Sequence, residues 1–176
     1  MRKLAGAAGL GLLLAGCGTN PAPEPARPVA RSRPPVVRSI AVSPAQYVTT
    51  ASSISLYVIK ASELVSGRAA GSPVGNLARQ FAADQEGIGS QLSFAGRRLD
   101  LLPAAALSPA HQAMLDALAA SPDPAGTYLR QLSTLLRQGA AFHRQYERYG
   151  TSPTLRPVAS MAAPILEREL NQLRGL

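Results

Sequence analysis

From residue 43 onward, apolar residues recur every three or four positions, the spacing that lines one face of an α-helix. The first such stripe joins Tyr47, Ile54, Tyr57, Val58, Ala61, Leu64 and Val65 and predicts a helix over 44–68. A second joins Val74, Leu77, Phe81, Ile88, Leu92, Ala95 and Leu99 over 73–99, with Gln85 filling an inward step. A third runs over 125–149 through Tyr128, Leu132, Leu135, Leu136, Phe142 and Tyr146, and a fourth over 153–174 through Leu155, Val158, Ala162, Ile165, Leu166, Leu170 and Leu173. A short helix is expected over 109–119. Pro164 is expected to kink the last helix, because it removes a backbone donor.

Ser-Pro pairs punctuate this pattern at Ser43, Ser72, Ser108 and Ser152. A serine oxygen accepts from an orphan amide of the first turn, and proline suits the first helical position. Asp123 is placed to cap the third long helix, and Gly150 to end it. Gly87, Gly89 and Gly96 weaken the second helix by about 1 kcal/mol each relative to alanine. Four long stripes with mostly short links predict an all-α, antiparallel four-helix bundle over 43–176. The longer stretch between the second and third long helices carries the short helix and is expected to cross one end of the bundle.

The first 42 residues differ in kind. Arg2 and Lys3 precede an apolar run from Leu4 to Ala15, too short for the roughly 20 residues that span a bilayer. The run ends in Leu14-Ala15-Gly16-Cys17, a bacterial lipobox built around the chain's one cysteine. This predicts a lipoprotein signal peptide at 1–16 and lipidation of Cys17. Gly18, in place of aspartate, points to the periplasmic face of the outer membrane. Residues 17–42 form a Pro/Ala/Arg-rich tether that cannot keep a helix or bury a core. It can reach ~80 Å at ~3.1 Å per residue. Its arginines suit a solvated spacer or contact with anionic headgroups or the cell wall.

The formal net charge of +8 changes the picture little. Two of the basic residues lie in the signal peptide, and the tether holds Arg27, Arg31, Arg33 and Arg38 against Glu24. The bundle carries twelve basic and nine acidic residues. Nucleic-acid binding would call for a concentrated basic face with interleaved aromatics, and none is apparent. No nucleophile elbow, Ser-x-x-Lys or phosphate loop occurs. His111 reads as a capping or surface residue, Asp84 and Glu86 as solvated carboxylates, and His143 as a structural residue facing Glu147 four positions on.

The phrases Leu56-Tyr57-x-Ile59-x-x-Ser62-x-Leu64, Leu77-Ala78-x-x-Phe81-x-x-Asp84, His111-Gln112-x-x-Leu115-x-x-Leu118, Tyr128-Leu129-Arg130-Gln131, Phe142-His143-x-x-Tyr146, Leu155-Arg156 and Pro164-Ile165 share order and spacing with one family. Over roughly 46–175 the chain resembles domain-of-unknown-function family 4142, exported bacterial proteins with a ferritin-like four-helix bundle. The resemblance implies a glutamate and three histidines at the places of Val58, Gln85, Leu136 and Glu169. Such a set suits a metal or proton site. Here all four positions differ, and Gln85 and Glu169 are expected to remain as a residual polar pair, with His143 as a third candidate. The expectation is a lipid-anchored, non-catalytic binding or structural module without a cofactor. Its partners would be the membrane, through its lipid, and an envelope protein or the cell wall, not nucleic acid. The alternative is a ferritin-like metal- or oxidant-handling protein with a rearranged site drawn from Glu169, Gln85, Glu63 and His143.

Overall fold

Serine or aspartate caps and proline starts set four of the five helices where the pattern predicts them. In the computed structural model, which describes residues 42–176, α1 spans Pro44–Arg68, α2 Pro73–Arg97, α3 Pro109–Ala119, α4 Pro124–Tyr149 and α5 Arg156–Leu173. The signal peptide, Cys17 and the tether up to residue 41 lie outside the described residues. Ser43, Ser72 and Ser108 each accept a backbone N–H of the first turn, and Asp123 accepts that of Gly126. Gly71 makes the turn from α1 to α2 with φ of 78°. Pro164 lies on the exposed side of α5, and the helix runs through it.

Two boundaries differ from the expectation. Helix α2 stops at Arg97 rather than Leu99 because the chain closes in a Schellman motif. Leu101 N–H donates to the Gly96 carbonyl at 2.9 Å, Asp100 N–H to Arg97 at 3.4 Å, and Asp100 takes the left-handed conformation at φ 54°. Helix α5 starts at Arg156 rather than Pro153. Pro157 has no N–H to give to the Pro153 carbonyl, so residues 152–155 form a separate turn, with Ser152 accepting from Leu155 and Arg156.

The four long helices form an all-α bundle in which α1 neighbours α2 and α4, and α5 completes the ring between them. Side-chain pairs show the neighbours to be antiparallel: Tyr47 meets His143 while Ser62 meets Tyr128, and Asp84 meets Arg168 while Ala95 and Val158 share a wall nearer the other end. Helices α2 and α4 therefore run in the same direction, so the link between them must travel the bundle's length. It does not cross one end, as the pattern suggested. Ala104 N–H donates to Ser52 Oγ and Ser108 N–H to Ser53 Oγ; α3 then follows α1, and Arg68 donates to the Ala119 carbonyl. Two buried hydroxyls on α1 thus hold the start of the crossover.

The core has two parts. A larger one holds Val58, Phe81, Ile88, Leu132, Leu136 and Leu166, and a smaller one at the N-terminal end of α1 holds Tyr47, Leu92, Tyr146 and Leu155. The glycines of α2 are not equivalent. A Cβ on Gly96 would meet the Leu101 carbonyl oxygen at 2.1 Å, backbone held by the Schellman closure, whereas Cβ atoms on Gly87 or Gly89 would meet nothing within 4 Å. Gly96→Ala is expected to destabilise by about 2 kcal/mol. Gly87→Ala should stabilise by up to ~1 kcal/mol through helix propensity. Urea unfolding of the two variants checks the opposite signs.

Candidate functional site

The inward step at position 85 and the edge of the α5 stripe come together in the middle of the bundle. Gln85 Nε2 donates to both carboxylate oxygens of Glu169, at 2.9 and 3.2 Å, and both side chains are fully buried. The α4–α5 register that sets Gly139 against Leu166 carries Leu136, three residues back, opposite Glu169. Val58 and Leu136 are fully buried in the same core. Just outside the pair, Arg168 donates to Asp84 at 2.8 Å, so Asp84 is ion-paired rather than merely solvated.

Burial dominates the electrostatics of Glu169. Loss of water pushes its carboxyl up to about 8, against the bond from Gln85 and with a small push from Asp84. The amide can serve either protonation state: Nε2 donates to the carboxylate, and a half-turn would present Oε1 to a protonated acid. In the arrangement seen, Gln85 Oε1 has no partner. Nearby phenols are engaged elsewhere. Tyr128 pairs with buried Ser62 at 2.8 Å, and Tyr57 donates to Gln131 Oε1 at 2.6 Å, whose Nε2 donates to the Met114 carbonyl.

His143 is not part of this pair. It lies seven residues, or about 10 Å of helix, from Leu136, buried beside Tyr47, whose hydroxyl meets Nδ1 at 2.9 Å. Burial lowers its pKa to about 4 and raises that of Tyr47, so the neutral ring accepts and the phenol donates. The surface pairing expected between His143 and Glu147 does not form; Glu147 accepts from Arg144 and Ser160 instead. Tyr47 also stacks on Tyr146 at 3.8 Å and on Phe142 at 5.6 Å. Glu63 is exposed. His111 is more than a cap residue: its Nδ1 meets Ser53 Oγ at 2.7 Å, and burial lowers its pKa. Ser52 and Ser53 belong to no motif in the sequence, and Ser62 stands out there only through the family phrase of the first helix. Their signal is three hydroxyls beside the apolar stripe of α1, where buried oxygens must find partners.

A metal does not suit the centre. Among the described residues no three His, Cys, Asp or Glu side chains converge to hold one. Gln85 turns an N–H donor toward both oxygens of the one carboxyl, and Val58 and Leu136 offer no donor atoms. The pattern of the family described as "Domain of unknown function (DUF4142)" matches residues 31–176. The chain belongs to this family. A crystal structure of a DUF305 fragment from Deinococcus radiodurans is similar to the DUF4142 chain, with a TM-score of 0.65 at 18% identity, covering 75% of this chain and 93% of that one. That likeness concerns the fold alone. No curated protein matches the chain.

The two buried groups give stability opposite pH slopes. The folded pKa of Glu169 is raised from 4.5 to about 8, so its stabilisation is whole below 4.5 and drains as pH rises through 8. The folded pKa of His143 is lowered from 6.5 to about 4, so its stabilisation is whole above 6.5 and drains as pH falls through 4. Between about 4.5 and 6.5 the slopes oppose and stability should be nearly level. From pH 6.5 to 8 it should fall by about 2 kcal/mol. Glu169→Gln should remove the alkaline fall and leave the acid one, as read by urea unfolding across this range.

Proposed function

We propose that this DUF4142 protein is a lipid-anchored envelope protein whose bundle is a non-catalytic binding or structural module. The observation that carries the reading is the closed central pair. Glu169 is sealed from solvent and held by Gln85, among apolar walls where the resemblance implied ligands. A carboxyl that keeps its proton to about pH 8 is a poor ligand for a hard cation at neutral pH. The lipobox at Leu14–Cys17 supports the anchor, on the periplasmic face of the outer membrane.

Protein purified from cells grown with iron, zinc and manganese should contain well under one metal per chain, and these ions should leave its melting temperature unchanged. A ligand selective for the folded state would raise it. Near-stoichiometric metal, or a rise in melting temperature, would return the reading to metal or oxidant handling. Cys17→Ser should remove the lipid mass and change the protein from one that leaves the membrane only in detergent to one that is released without it. Unchanged membrane attachment, with no lipid mass on the native chain, would remove the anchor.

A further inference from the structure

The bundle's surface charge is unevenly placed. Around the end where α1 begins lie the last turn of α2, the end of α4 and the start of α5. Arg97, Arg98, Arg148 and Arg156 are exposed there. Asp100 is the exposed acid of this end, while Glu147 is engaged by Arg144 and Ser160. Counting Arg144 with the Glu147 it holds, five of the bundle's twelve basic and two of its nine acidic residues lie at this end, leaving seven of each elsewhere. The net positive charge of the bundle is therefore concentrated at one end, a face not apparent in the sequence because its arginines come from three separate helices.

The same end carries exposed apolar side chains. Phe94 is 58% exposed, Leu102 72% and Tyr149 65%; the opposite end has Leu176. Phe94 and Arg98 also line a hollow of about 410 Å³ with Pro157, Val158 and Met161, which continues the apolar surface between α2 and α5. Aromatic and leucine side chains beside arginines suit a bilayer interface, where the rings enter the headgroup region and the cations meet phosphates. The chain reaches this end from the segment that contains Arg27, Arg31, Arg33, Arg38 and Cys17.

We infer that this end of the bundle is a docking face for an anionic phospholipid bilayer, through Arg97, Arg98, Arg148 and Arg156 around Phe94, Leu102 and Tyr149. The inference deepens the lipid-anchor reading and rests on it for the presence of a nearby bilayer. A basic apolar face beside the lipid adds a second, electrostatic attachment that sets how the bundle sits on the bilayer. Each arginine near a charged surface contributes about 1 kcal/mol, or roughly fivefold in binding.

The test uses the chain from residue 17 with Cys17→Ser, so no acyl group contributes, and vesicles of phosphatidylglycerol with phosphatidylethanolamine or of phosphatidylcholine. The chain should co-sediment with the anionic vesicles and at least about tenfold less with the zwitterionic ones. The combined variant R97Q/R98Q/R148Q/R156Q should lose at least about tenfold, and F94S/L102S/Y149S should lose the part that survives high salt. R68Q/R130Q/R174Q, away from this face, should bind as the parent does. All these positions are exposed, and thermal melts confirm that the variants fold. Equal loss from both arginine sets, no loss from the first set, or binding to isolated cell wall but not to vesicles would overturn the inference. Failure of the anchor reads out separately, as absence of lipid mass on native Cys17.

Discussion

One buried carboxyl constrains the centre of this bundle. Glu169 sits where four helices meet, out of reach of water, with an amide as its partner. An isolated charge in such a place is costly, and the cheaper state is the protonated one. Gln85 accommodates both states without demanding a charge of its own. Val58 and Leu136, fully buried in the same core, add no polar group to this interior. The centre of the bundle thus holds one carboxyl and no imidazole, with an amide as its polar partner.

The polar groups that remain serve the fold. Ser52 and Ser53 receive the backbone of the crossover, His111 rests on Ser53, and Gln131 links Tyr57 to the Met114 carbonyl on α3. These bonds hold a segment that must travel the bundle's length because α2 and α4 run in the same direction. At the N-terminal end of α1, the stack of Tyr47 and Tyr146 and the bond from Tyr47 to His143 do comparable work. A buried neutral histidine there is a structural acceptor, and its low pKa is a consequence of that position.

The long helices were legible because each buries a stripe wide enough to leave a clear period, and because serine or aspartate caps sit at the starts of α1, α2 and α4. The inward position of Gln85 was legible on the same ground. Three features were not. The end of α2 is set by a Schellman closure through Asp100, where glycine would have been the recognisable sign. The crossover leaves no period, and its path depends on hydroxyls of α1 that look like ordinary serines in sequence. The place of His143 is ambiguous in sequence, because Glu147 follows by four while residue 143 also falls on the face that carries Leu132, Leu136, Gly139 and Tyr146. Spacing alone permits both readings, and packing against Tyr47 decides between them.

The central claim is that the bundle's interior carboxyl is a sealed, proton-bearing group paired to an amide. It is tested most directly by carbon-13 NMR of the side-chain carboxyls in glutamate-labelled protein, with the Glu169 signal assigned by its loss in Glu169→Gln. The account predicts that this signal titrates near pH 8, well above the ordinary 4.5, and does not shift when iron, zinc or manganese is added. Titration near 4.5, or broadening of this signal by a paramagnetic metal at stoichiometric concentration, would contradict it.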